Sequence, residues 1–334
     1  MSLSQMTQNC PPKPWLSIEQ QILLMRSRGL FVNNSPETVN ALRHFGYYRL
    51  SGYSYVLRET DAGTGEKLNS FKPGSSFDYV VELYSFDKNL RLLMLDALEK
   101  IEISLRASVA YSIGRKDPLF YKNPSFFRKE YWDTKYPDWI KKQEKKLTDS
   151  REDCIKHNVE KYGENIPIWV LCQVWDFGQL SWLLQLLTPD NVKLVCQSYG
   201  FAGHQHFLSW LVCFNELRNI CAHHSRLWNR KFSFAPKKPS NKDLKLEEWC
   251  IPLYEQRDNR TLFFRAYGII QFLKFIEVRT VWADRFTSYM KKFPSQPELG
   301  VSLANLGFPK NWDDLITHIK NDLPRTSQVT NHSD

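Results

Sequence analysis

Long apolar runs are missing from this chain of 334 residues. No stretch of about 18 or more apolar residues occurs, so no membrane-spanning helix is expected. The N-terminal residues are polar and proline-containing, without the apolar core of a secretory signal. A cytoplasmic protein is the resulting expectation. Paired cysteines are missing as well. The seven (Cys10, Cys154, Cys172, Cys196, Cys213, Cys221 and Cys250) are odd in number and form no C-x-x-C spacing. Several lie in apolar runs, which reads as buried thiols in a reducing compartment. No carboxylate cluster or Cys/His quartet is present, so no metal or other cofactor is expected. His204-x-His206 and Cys221-x-His223 come nearest to ligand pairs. No internal repeat and no sustained strand alternation is found. The expected class is mainly α.

What is present is ordinary for a soluble domain, with 42% hydrophobic and 24% charged residues. The length allows one large domain or two modest ones. Aromatics reach 14%, including 11 Trp, which predicts an aromatic core. Lys+Arg exceed Asp+Glu by 9. That excess favours an anionic partner, and its clustering matters more than its sum.

Residues 1–14 read as a disordered N-terminus, and 15–75 as an N-terminal helical region. Ser17-Ile18-Glu19-Gln20 is a capping box, opening a helix that should end at Gly29. Ser35-Pro36-Glu37 starts another, expected to stop near Gly46. Gly46–Tyr53 is too aromatic for a solvated loop. It reads as a packed turn before an extended piece at Tyr53–Arg58, with 59–75 as loop. From Ser76 to about Ile113 there is no Pro or Gly, and apolar residues recur at helical spacing. Two acid–base pairs fall at i,i+4: Asp87 with Arg91, and Glu102 with Arg106. By spacing alone each is a surface ion pair. Ile101, Ile103 and Leu105 crowd the second pair, where a carboxylate can orient an arginine in a site.

Residues 115–165 interleave lysines with aromatics. That suits either a solvated helix with a half-buried aromatic face or a track for single-stranded nucleic acid. Pro167–Leu187 is apolar and reads as two helical pieces around Gly178. Thr188-Pro189-Asp190 caps a short helix, and Gly203 precedes the next. Thr261–Val278, Trp282–Phe293 and Trp312–Ile319 complete the helices.

The most informative string is Glu216–Arg230. On a helix from about His206, the residues Phe207, Trp210, Leu211, Phe214, Leu217 and Cys221 form one apolar stripe, and Arg218 falls inside it. A half-buried arginine needs partners, and Glu102 is a candidate. Arg218 is a permanent cation suited to phosphate, and His223 can move protons near neutral pH. On an ideal helix the two point about 140° apart. Either the helix distorts before His223, or the arginine reaches round, or a second copy of the chain completes the site. Asn219 adds a polar donor. Arg226, Arg230, Lys231, Lys237, Lys238 and Lys242 follow, with no acid between Ser225 and Lys242, as a phosphate-binding surface.

Arg218-Asn219-x-x-x-His223 resembles the R-x(4–6)-H signature of HEPN ribonucleases. The longer string Leu217–Arg230 resembles the Abi (AbiD/AbiF-like) abortive-infection family. So do Tyr47–Tyr53, Leu83–Arg91 with Ile101–Arg106, and Pro167–Val170 with Phe177-Gly178, in that family's order. The resemblance covers about residues 17–280. It implies a HEPN-like helical bundle over 76–280, with a basic insertion near 225–247, helical extensions on either side, and C-terminal helices and a frayed tail over 281–334. It also implies a composite site in a homodimer and a phage-defence or toxin-like role through RNA. In the implied reaction the substrate's 2′-hydroxyl is the nucleophile, without metal. His223 acts as general base or acid and Arg218 stabilises the phosphorane. Asn219 orients, while Glu102, Arg106 and His224 support. Products would carry 2′,3′-cyclic phosphate ends, and DNA would not be cut. Two other readings stay open: a non-catalytic binder of a small noncoding RNA in the same groove, and a helical scaffold in which Arg218 and Glu102 are structural.

Overall fold

The computed structural model describes residues 13–163, 165–239, 259–276 and 281–321. It is mainly helical, as expected, with one two-stranded sheet. The chain divides into two compact units. One comprises the residues up to Phe86 with Pro294–Val301, the other Asp87–Phe293 with the residues from Ser302.

In the first unit, α1 (Ile18–Ser27) opens with the complete Ser17/Gln20 capping box. α2 (Pro36–Phe45) is capped by Ser35 and ends at Gly46, whose φ is 80°. The next segment corrects the sequence reading. Tyr47–Ser54 is a helix, α3, rather than a packed turn. Leu50 and Tyr53 share its buried face while Tyr48 is exposed, so burial at helical spacing outweighs Gly52. A 3-10 turn, Tyr55–Leu57, replaces the expected extended piece. The expected loop contains an antiparallel hairpin, β1 (Arg58–Thr60) with β2 (Lys67–Phe71). Asp61 Oδ1 closes its turn by accepting the N–H groups of Gly63 and Thr64 at 2.9 and 2.7 Å. The unit ends on the first turns of α4 (Phe77–Ser112), which continues into the second unit.

The second unit holds α5 (Lys129–Trp132), α6 (Tyr136–Asp149), α7 (Asp153–Tyr162), α8 (Ile168–Leu171), α9 (Phe177–Leu186), α10 (Pro189–Cys196) and α11 (His204–Ala222). α12 (Leu262–Ile276), α13 (Val281–Met290) and α14 (Trp312–Asn321) follow. The break between α8 and α9 lies at Trp175–Asp176, not at Gly178. Asp176 is the N-cap of α9 in a second capping box with Gln179, so Gly178 sits inside the helix.

The core is aromatic, as the composition predicted. Phe207 on α11 stacks on Phe272 of α12 at 5.6 Å, and Trp210 stacks on Phe214 at 5.6 Å. α12 is buried nearly all round. It approaches α11 so closely that a Cβ at Gly268 would lie 2.3 Å from Trp210 Cζ3. Only glycine fits there. The aromatics of α5 and α6 mostly pack on one another, with Trp132 stacked on Tyr136 at 4.0 Å and Trp139 buried.

Candidate active site

α11 forms because its apolar stripe is buried: Phe207, Trp210, Leu211, Phe214, Leu217 and Cys221 all lie in the core. The helix ends at Ala222, one residue before His223, which is its C-cap. His224 then takes φ 56°, a left-handed conformation that glycine usually fills at this position. Its N–H donates to Cys221 O at 3.1 Å, and the Ser225 N–H donates to Ile220 O at 2.9 Å. These two bonds close the helix, so His223 leaves it exposed on the surface.

Arg218 is half-buried. Among the described residues, the side chains of Arg218, Asn219 and His223 make no hydrogen bond or ion pair. Glu102 does not serve Arg218, contrary to the sequence expectation. It bonds Arg106 at 2.5 Å, and Arg106 also donates to the carbonyl of Trp175. The pair thereby pins the chain immediately before Asp176. The charge that Arg218 acts on is Asp176 itself. Burial disfavours the Asp176 carboxylate. The Lys146 ammonium at 2.7 Å, the Gln179 N–H at 3.0 Å and the nearby Arg218 together hold it below the usual carboxylate value.

Asn215 lies against the same end of α9, since a Cβ at Gly178 would be 3.2 Å from its Oδ1. Asn215, Arg218 and Asn219 stand at i, i+3 and i+4, on one face of α11. The site face is therefore two amides and a guanidinium beside the capped start of α9, with His223 at the end of the helix.

Asp87 and Arg91 also depart from the sequence expectation. This pair is no surface bridge: its side chains are 0% and 4% exposed. Besides binding Arg91, Asp87 accepts the Trp228 N–H at 2.7 Å and the Leu227 N–H at 3.2 Å. It thus fixes the chain just beyond His223 and His224. The basic segment then doubles back along α11. Glu216 accepts the N–H groups of Ser233 and Phe234 at 2.6 and 3.3 Å, and also pairs with buried Arg265 at 3.2 Å. The Lys237 N–H donates to Ser209 Oγ at 2.8 Å, and its ammonium to Gln205 Oε1 at 2.9 Å.

Arg226 and Arg230 accordingly stay near the His223 end of α11, while Lys237 reaches its first turns. Lys231 and Lys238 are exposed on the same segment, and Lys242 lies outside the described residues. Of the two ligand pairs in the sequence, His206 is buried and its Nε2 accepts the Trp210 indole N–H at 3.0 Å. Cys221 is buried while His223 is exposed. Asp87, Asp176 and Glu216 were not legible as site residues. Signals were present without their meaning: Asp176-Phe177-Gly178-Gln179 has capping-box spacing, Asp87 lies in the Leu83–Arg91 motif and Glu216 opens the Glu216–Arg230 string.

No curated protein and no solved structure matches the chain. A family model described as Abi-like protein matches residues 40–229. The match begins in α2, takes in α4, α9 and α11, and stops at Asn229, just past the turn that Asp87 holds. The chain therefore belongs to the Abi-like protein family, the abortive-infection class.

Proposed function

We propose that this chain is a metal-independent endoribonuclease of an abortive-infection phage-defence system. The observation that carries the reading is Arg218, a half-buried guanidinium without a hydrogen bond or ion pair among the described residues, on one helix with Asn219 and exposed His223. A half-buried cation near Asp176 but not bonded to it can still take a phosphate. His224 supports the reading too, since a histidine kept where glycine would cost less conformational energy points to a use for its side chain.

In the proposed step the RNA 2′-oxygen attacks the adjacent phosphorus. His223 accepts the 2′-hydroxyl proton, Arg218 binds the charge growing on the phosphorane oxygens, and Asn219 orients a non-bridging oxygen. The phosphorus–5′-oxygen bond breaks, the leaving oxygen takes a proton from water, and the protonated His223 returns its proton to solvent. The ends are a 2′,3′-cyclic phosphate and a 5′-hydroxyl. Glu102 and Arg106 act at a distance, by holding Trp175 and with it Asp176 beside Arg218.

On an ideal helix Arg218 and His223 point about 140° apart, and the complete site is proposed to form where two copies of the chain meet. The same divergence favours the second reading, in which a single groove holds a small noncoding RNA without cutting it. The test is incubation of the full chain with mixed RNA in EDTA, with end-group analysis. Cleavage that disappears in His223→Ala and Arg218→Ala is the expected result. RNA that is bound and left intact by all three proteins would support the second reading instead.

A further inference from the structure

Two clefts of the second unit share one residue, Trp182. The first has a volume of about 290 Å³ and lies between α5, α9 and α11. It is lined by Arg128, Lys135 and Lys237 among the rings of Tyr131, Trp182 and Phe234, with no carboxylate. The second, of about 530 Å³, lies between α6 and α9. It carries Lys142, Lys145 and Lys146 against Asp149 and Asp176. Gly178, Trp182 and Gln185 stand at i, i+4 and i+7 of α9, so one face of that helix floors both clefts. At its Gly178 end this face meets Asn215, and Asp176 there is within the electrostatic reach of Arg218.

Lys146 is taken up by Asp176, at 2.7 Å, but two other cations of the clefts lie over rings. Lys142 Nζ lies 4.6 Å from the centroid of Trp182, and Lys135 Nζ lies 4.3 Å from that of Tyr131. Trp182 is only half-buried and Lys142 and Lys145 are exposed, so both kinds of group face solvent. Cations beside an aromatic face suit a single strand, because phosphates take the charges and bases take the ring.

We infer that this face of α9 is the track along which single-stranded RNA reaches Arg218, with Trp182 as its stacking platform. The inference rests on the ribonuclease reading for the identity of the strand. It takes up the strand track that the lysines and rings of residues 115–165 left open, and gives the basic segment after Ser225 a smaller part. The track approaches the site from the start of α9, with Lys142 and Lys145 on it. Of the described residues of the basic segment after Ser225, Lys237 is the cation that lines it.

The test is fluorescence anisotropy of a labelled, unstructured single-stranded RNA with the full chain, in the His223→Ala background so that nothing is cut. Trp182→Ala should weaken binding by about 5- to 150-fold, the loss of one base stacking contact, and Trp182→Phe should restore most of it. Lys142→Gln with Lys145→Gln should lower the slope of log affinity against log salt by about 1.4, from two lost phosphate contacts. Lys310→Gln, at an exposed lysine away from both clefts, should leave both quantities unchanged. Circular dichroism melts confirm that each variant is folded.

Tight binding that ignores Trp182 and both lysines overturns the track and leaves the ribonuclease reading standing. Binding that depends on them, with no cleavage by the wild-type chain, supports the track and removes the ribonuclease. Absence of any RNA binding overturns the track, while cleavage assays on the same preparation judge the ribonuclease separately.

Discussion

Asp87 is the residue whose loss should be felt most sharply beside the site. Its carboxylate is fully buried and serves donors that include the Arg91 guanidinium and the N–H groups of Leu227 and Trp228. Asp87→Ala leaves Arg91 as a buried cation without that countercharge, a change worth about 3–5 kcal/mol. It also strips two buried N–H groups of their acceptor, at about 1–3 kcal/mol each before relaxation. These costs overlap, because water entering the vacated space can serve all three groups. A net loss of about 4 kcal/mol is a large share of a typical stability of about 5–15 kcal/mol. For a unit of this size it corresponds to a fall in Tm of about 8–16 °C.

Urea unfolding followed by circular dichroism measures it, with an unchanged m-value showing that the unfolded state is the same. Arg91→Met removes the stranded cation. The double variant should therefore be more stable than the sum of the two single losses allows, by about 1 kcal/mol or more. A loss below about 1 kcal/mol in Asp87→Ala, or additivity of the two substitutions, would refute the claim that this carboxylate holds the turn after His223.

Four further outcomes are expected. Gly268→Ala should lower stability by about 1–3 kcal/mol in the same assay, because the new methyl meets the Trp210 ring and overpacking outweighs the gain in helix propensity. Asp176→Asn keeps a cap but removes the charge. Its folded-state pKa lies below its unfolded one, so its contribution is present above the usual carboxylate range and lost as pH falls through the folded-state value. The urea midpoints of wild type and Asp176→Asn should thus differ at pH 6 and converge in acid. Native-state alkylation followed by mass spectrometry should label Cys154 ahead of Cys221. Cys154 is exposed, whereas burial and the neighbouring Asp87 push the Cys221 thiol up to about 12. Mixed dimers of Arg218→Ala with His223→Ala should regain cleavage that neither variant has alone; silence of the mixture would remove the composite site.

Caps and chain breakers carried the fold into the sequence. Ser17 and Ser35 mark helix starts by their side-chain caps and Pro189 marks that of α10, while the absence of Pro and Gly over Ser76–Ile113 left α4 little alternative. The misread elements depend on partners. α3 contains Gly52 and is short, so only the burial of Leu50 and Tyr53 decides for helix. β1 and β2 are three and five residues long, too short for alternation to show. The site divided along the same line. Arg218 and His223 announce themselves by residue type and spacing. Their surroundings come from distant segments: Asp176 lies at the start of another helix, and the donors to Asp87 are backbone groups of Leu227 and Trp228. Phe86-Asp87-Lys88-Asn89 looks solvated in the sequence because nothing local says that the chain returns to cover it.

The extent of the family match bears on which of these surroundings belongs to the shared machinery. It includes Asp87, Glu102, Arg106, Asp176 and α11, and it stops at Asn229, one residue beyond the last N–H that Asp87 accepts. The segment carrying Lys231, Lys237 and Lys238 lies outside it. A matched region ending there contains the two carboxylates that flank the proposed catalytic pair, one fixing the chain after His223 and one near Arg218. It also contains Trp182, Lys142 and Lys145, the middle of the proposed strand track, while leaving out Lys237 at its far edge. Substitution at Lys237 should therefore change affinity for RNA while leaving the single-turnover cleavage rate at saturating RNA as it was. Arg106→Ala should do the reverse. It frees the Trp175 carbonyl and the start of α9, so the cleavage rate should fall with little change in RNA affinity. If Arg106→Ala weakened binding and cleavage equally, Arg106 would be a contact to the RNA backbone instead of a support for Asp176.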